Sequence, residues 1–208
     1  MTGFESILTG LGLSGSAGLN AYLPLLILGV MQRVDVIELA EPYDKIGHPA
    51  ILVILFVLLV VEMTADKIPA VDSLNDLINT GVRPAAGALL FTASTSTLQD
   101  PDPTLLTAAS LLSGSVSAGG VHAAKATVRP GVTVASGGMG NPFVSFIEDV
   151  ISTMVSLFAV LMPFAVVLFV FSVVAIVGWW AWDWRRTRKY FGPEIPAVIT
   201  VEQPPGGI

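Results

Sequence analysis

The sequence predicts an all-α, polytopic membrane protein, and three observations predict it. Mean hydropathy is +0.75. Of the 208 residues, 53% are hydrophobic and only 12% are charged, where a soluble domain carries about 25% charged residues. The apolar residues gather into five charge-free windows, each read as a span because a bilayer core about 30 Å thick asks for about 20 residues of helix. Two short amphipathic or re-entrant helices complete the set, at Pro69–Thr80 and Pro142–Thr153. These two share Pro, Val, Asp, Ile and Thr in register, which points to a diverged internal repeat. Proline suits the first helical turn, and the apolar residues then recur at helical spacing.

Composition also excludes several functions. The net charge is −6 and no basic face occurs outside the C-terminal tail, so nucleic acid is not an expected partner. With no cysteine there is no disulfide, thiolate metal site or cysteine nucleophile. Met1 to Glu5 lacks the basic start of a secretory signal, so the first apolar stretch is expected to stay in the mature protein.

The first window, residues 6–32, carries Gly10, Ser14 and Gly18 four apart, with Asn20 and Pro24 interrupting its second half. In lipid, helices associate by close approach at small residues, so this stripe predicts a helix packed against it. Residues 33–48 are charged and read as a surface loop. The second window, Pro49–Val61, spans only if its helix continues through Glu62 towards Ile68. After Gly81–Pro84 the third window, 84–99, is apolar at first and hydroxyl-rich at its end, as suits a segment surrounded by other helices or a water-filled cavity. Asp100–Pro103 is a turn. The fourth window, 103–124, repeats the Leu13–Ser16 motif at Leu112–Ser115 and carries Ser110, Gly114, Ala118 and His122 four apart. The stretch 127–141 between it and the second amphipathic helix reads as a connection. The fifth window, 150–182, exceeds one straight span and is expected to kink at Pro163. It ends at Trp179, Trp180, Trp182 and Trp184 beside Arg185, Arg186, Arg188 and Lys189, an interface anchor that predicts a cytoplasmic C-terminus. Alternation back through five spans puts the N-terminus outside. Residues 1–189 are expected to form one helical membrane domain, with repeat-like halves at about 6–99 and 103–183, in the inner (cytoplasmic) membrane. Residues 190–208 read as a flexible cytoplasmic tail.

Ser16–Pro24, Asp66–Asp72 and Gly140–Ser145 together resemble a bacterial membrane-protein family known as domain-of-unknown-function family 4126, over most of residues 5–180. The resemblance implies a compact polytopic membrane protein and no reaction, ligand or active-site residue.

The candidate polar or ion site comprises Glu62, Asp66, Asp76, Glu148 and Asp149, with Asp72 beside them; oxygen ligands of this kind suit cations or protons. The plain alternative is a set of solvated acids at helix ends. Asn20, His122 and Lys125 are the other polar groups on spans. Interhelical hydrogen bonds are the structural reading of Asn20 and His122, and snorkelling that of Lys125. Arg83 and Arg129, each before a proline, are candidates for structural pairing with Asp76 or Asp149. Those two acids, both seven residues after a proline, are expected in equivalent positions. No nucleotide loop, zinc-protease helix or nucleophile elbow occurs, and His48 and His122 are far apart, so no catalytic residue and no cofactor is expected. The functional expectation is a transporter-like or channel-like protein for a small solute or ion, homo-oligomeric in the bilayer, because repeats with interrupted helices are typical of transporters. The alternative is a non-catalytic membrane scaffold or assembly factor that binds other membrane helices.

Overall fold

The computed structural model describes residues 3–65, 69–98 and 102–188. These residues form seven α-helices and no strand: α1 (Gly3–Ala17), α2 (Tyr22–Arg33), α3 (Pro49–Ala65), α4 (Pro69–Thr95), α5 (Pro103–Ser136), α6 (Asn141–Leu161) and α7 (Pro163–Arg188), with a 3-10 turn at Tyr43–Gly47 before α3. Two of them, α5 and α6, are long and apolar enough to cross a membrane. The apolar helices α2 and α3 are shorter, at 12 and 17 residues.

Helix boundaries differ from the windows at four places. The first window breaks at Gly18–Ala21 into α1 and α2, and the Asn20 side chain caps the second piece by accepting from the backbone N–H groups of Tyr22 and Leu23, both at 3.1 Å. The expected break at Gly81–Pro84 is absent, because α4 runs 27 residues straight through Pro84. The stretch 127–141 is likewise mostly helical: α5 continues through Pro130 to Ser136. An interior proline costs about 3 kcal/mol, and packing of α4 along α5 offsets it. The fifth window is two helices rather than one kinked helix, since Met162 leaves helical geometry (φ −145°, ψ 67°) and Pro163 starts α7.

Asp102 caps α5 by accepting from the N–H groups of Thr104 and Leu105, and Gly137 ends it in the left-handed region at φ 59°. Gly138 follows at φ 86°. The glycine-rich stretch 136–140 is therefore the tight connection from α5 to α6, where left-handed backbone favours glycine.

The chain divides into two units, Met1–Leu168 and Phe169–Ile208. Within the first, α1 packs against α4, α5 and α6, while α2 packs against α3 and α6. The small-residue stripe of α1 is met inside the chain: a Cβ on Gly10 would lie 3.2 Å from the Phe91 ring, and one on Gly18 2.5 Å from the Ala118 carbonyl oxygen. Hydroxyls tie the same helices together. Thr9 donates to the Ala159 carbonyl at 2.8 Å, Ser16 and Ser156 share a 2.8 Å bond, and Thr95 meets Ser110 at 3.0 Å. The two Leu-Ser-Gly-Ser motifs occupy different surroundings, since Leu13 is fully buried and Leu112 is 68% exposed. In the second unit, Trp180 stacks on Trp184 at 6.1 Å and the Arg186 guanidinium lies over the Trp182 ring at 5.5 Å.

The first unit has a buried apolar core that includes Leu13, Leu28 and Leu90, but it departs from a water-soluble fold at its surface and at its buried charges. Val53, Ile54, Phe56, Val57 and Val61 of α3 are exposed, whereas Asn20, Glu62, Asn79, Arg83, Lys125 and Arg129 are buried.

Candidate functional site

The buried charges converge on the break between α1 and α2. A helix that stops leaves its last carbonyls without intrahelical partners. Just past that end, two carbonyls of the break itself take hydrogen bonds from cations on other helices: Gly18 O accepts from Arg83 Nη1 at 3.3 Å, and Leu19 O accepts from Lys125 Nζ at 3.3 Å. Gly18 is needed for this approach, because a Cβ there would also lie 2.6 Å from Val121 Cβ.

Around Arg83 lies the first cluster. Its Nη2 is 3.2 Å from Glu62 Oε1, with the two side chains 0% and 2% exposed. The same carboxylate oxygen accepts from Asn79 Nδ2 at 3.1 Å. Arg83 Nη1 is 2.9 Å from His122 Nδ1, and His122 Nε2 is 3.3 Å from Thr80 Oγ1. A guanidinium only donates, so Nδ1 accepts, and a neutral ring then carries its proton on Nε2, facing the threonine. Three helices thus contribute to one cluster: Glu62 from the end of α3, Asn79, Thr80 and Arg83 from α4, and His122 from α5.

The second cluster lies further along α5. His122, Lys125 and Arg129 continue the buried face of Ser110, Gly114 and Ala118 at helical spacing. Lys125 Nζ is 2.8 Å from Glu148 Oε2 on α6, and Arg129 Nη2 is 3.8 Å from the same oxygen. Arg129 Nη2 also donates to Ser145 Oγ at 2.6 Å. Asn20 links this cluster to the break, since its Nδ2 donates to Asp149 Oδ1 at 2.9 Å while its Oδ1 caps α2.

Of the residues singled out from sequence, Glu62, Arg83 and His122 thus meet in one cluster, Lys125, Arg129 and Glu148 in another, and Asn20 and Asp149 join at the break. Asp66 and the side chains of Asp72 and Asp76 lie outside the described residues. Glu62 is the partner seen for Arg83, where Asp76 or Asp149 was expected. Asn79, Thr80 and Ser145 were not anticipated. The signal for them was the repeated amphipathic stretch, in which Asn79 sits among apolar residues and Ser145 takes the place of Asp72.

Chemically, the assembly is a set of charged side chains around an interrupted helix, joined by charge-assisted bonds, with Arg83 Nε buried and making no hydrogen bond. No group of three or more metal-ligating side chains occurs among the described residues. The family model described as a domain of unknown function (DUF4126) matches residues 7–183. No curated protein and no solved structure matches the chain.

Proposed function

We propose, from the premise that this chain belongs to the DUF4126 family and that the family description names no activity, that it is a multi-pass helical membrane protein of transporter type whose solute or ion site lies at the Gly18–Asn20 break. The observation that carries this reading is the pair of carbonyls at the break held by two buried cations on different helices. Interrupted helices whose ends face ionised groups are the usual form of ion and solute sites in secondary transporters, and ionisable residues at membrane depth are functional by default. The exposed aliphatic face of α3, together with charges buried in the interior, supports a lipid environment, because such a surface suits hydrocarbon outside. The scaffold alternative has less support, since the Gly10 and Gly18 stripe is already occupied by Phe91 and Ala118 of the same chain.

The proposed topology has five crossings, α3 to α7, with α1 and α2 as a hairpin that enters the bilayer and returns. α1 and α2, 15 and 12 residues long, are each too short to cross alone. Both ends of the pair lie beside the end of α4: a Cβ on Gly3 would lie 3.4 Å from Leu98, and the Ala40 N–H donates to Ser96 Oγ at 2.9 Å. With the Trp/Arg anchor of α7 cytoplasmic, alternation back through α3 places residues 34–48, and with them the start of α1, on the outside. Lys67, Lys125, Arg129, Arg185, Arg186, Arg188 and Lys189 then fall on the cytoplasmic side, and only Arg33 and Lys45 on the other. That asymmetry is what the positive-inside rule requires. The diverged repeat, with α4 and α6 as its related members, belongs to the same proposal.

Two measurements test these points. A single cysteine at Thr187 is expected to react with an impermeant reagent from the cytoplasmic side and single cysteines at Thr2 and Asp100 from the other; labelling of the Thr2 and Thr187 variants from the same side would refute the hairpin and the five crossings. Purified chain in liposomes is expected to pass at least one species from a panel of protons, common cations and small anions, with the flux reduced in Asn20→Ala. Absence of any flux at full incorporation would sink transport and leave the scaffold.

A further inference from the structure

A groove of about 300 Å³ lies beside Leu19 between α5 and α6. Val128, Val132 and Val144 wall it, and Lys125, Arg129 and Glu148 line its base. Two cations and one carboxylate thus lie directly beneath a surface that is almost wholly apolar, and the side chains of those cations are only 3% and 7% exposed. The adjacent carboxylate, Asp149, is not among the lining residues and accepts from Asn20. A hydrated inorganic anion matches this base but not the valines, and a plain hydrocarbon matches the valines but not the base.

Depth adds a second constraint. α5 has 34 residues and is about 51 Å long, more than the roughly 30 Å hydrocarbon core. Measured along the axis from Pro103, Lys125 lies at about 33 Å and Arg129 at about 39 Å, the level of the headgroups on the far side. Basic pockets between helices at that level, on the cytoplasmic side, are recognition sites for anionic lipid headgroups.

We propose that this groove binds an anionic phospholipid of the bilayer, with its phosphate at Lys125 and Arg129 and its hydrocarbon against the valines. The phosphate shares the cations with Glu148, and the lipid bridges α5 and α6 next to the break. This rests on the membrane reading above but not on transport.

The test uses the full chain, purified in detergent, stripped of lipid and then offered phosphatidylglycerol or phosphatidylcholine in mixed micelles, with bound lipid counted by native mass spectrometry. Phosphatidylglycerol is expected to be retained in preference, and Arg129→Gln to weaken that retention about fivefold, the worth of one cation at a membrane surface. Because Arg129 is buried and its replacement can disturb folding, Val128→Trp is the second variant. Val128 is 64% exposed, so the indole is expected to fill the groove and abolish lipid retention with the melting temperature unchanged. Val134→Trp, at a position 84% exposed and outside the lining, is expected to retain the lipid. Equal retention of the two lipids, or retention untouched by Val128→Trp, would overturn the proposal. So would displacement of phosphatidylglycerol by an equal concentration of inorganic phosphate, which would make the base alone the site. If Val128→Trp changed only the oligomer distribution, the groove would be a contact between copies and the lipid site would be wrong. Binding is read without flux, so failure here leaves the transport reading standing, and failure of transport leaves this site untouched.

Discussion

Arg83→Ala is expected to destabilise the folded chain by about 3–5 kcal/mol, and Glu62→Ala by a similar amount, because each leaves an ionised partner buried without its counter-charge. The geometry makes this the largest single-residue effect expected among the described residues. Arg83 and Glu62 are 3.2 Å apart at 0% and 2% exposure, and Arg83 also holds His122 and the Gly18 carbonyl. Removing the arginine therefore takes one shared partner from two helices, α3 and α5, and from the break between α1 and α2. The pair itself contributes less than these losses suggest, since desolvation offsets much of its attraction. Accordingly, Glu62→Leu combined with Arg83→Met is expected to recover most of the stability lost in either single variant. Reversible unfolding in detergent of Glu62→Leu, Arg83→Met and their combination, read as a double-mutant cycle, measures the coupling. Changes of no more than about 0.5 kcal/mol in the single variants, the range of ordinary surface substitutions, would show that water reaches both charges and that the cluster is not the core of the site. A stable double variant that has lost flux would assign the pair to mechanism.

These residues were legible in the sequence for a simple reason. In a chain this apolar, Glu62, Arg83, His122, Lys125, Arg129 and Glu148 stand out one by one, because a charge beside a hydrocarbon window needs an explanation. Their partners were not legible. Arg83 finds Glu62 on the preceding helix and His122 on the following one, and only the crossing of α3, α4 and α5 sets that combination. Helix ends were misread where proline was taken as a stop. Pro84 and Pro130 remain inside α4 and α5 because long-range packing outweighs a local penalty. The true interruption, at Gly18–Ala21, showed in the sequence only as Asn20 in an apolar stretch. That asparagine is effective because one side chain both caps α2 and bonds Asp149, an arrangement 129 residues apart in sequence. The likeness of residues 69–80 to 142–153 was visible, but the continuation of the first into α4 and of the second into α6 depends on what each packs against.

Gly114→Ala is expected to destabilise by about 1–3 kcal/mol, the range for forcing extra atoms into a filled interior, whereas Gly120→Ala on the same helix is expected to stabilise by about 0.5–1 kcal/mol through helix propensity. The two glycines differ only in what a Cβ would meet. On Gly114 it would run into the Gly87 carbonyl group and lie 2.8 Å from Phe91 Cβ, and a Cβ on Gly87 would in turn lie 2.5 Å from the Gly114 carbonyl oxygen. On Gly120 nothing lies within 4 Å. Backbones of α4 and α5 therefore touch at Gly87 and Gly114, the contact on which helix association in lipid depends, since hydrophobic burial supplies little there. Separating them also strains bonds on either side of the crossing: Thr95 to Ser110 at 3.0 Å one turn away, and Arg83 to His122 at 2.9 Å two turns away. Gly114→Val is expected to be worse than Gly114→Ala. Unfolding midpoints of the three variants, measured side by side in one detergent, decide the matter: shifts of the same sign for Gly114→Ala and Gly120→Ala would mean that α4 and α5 do not cross at these glycines, and that His122 is not held against Arg83 by their contact.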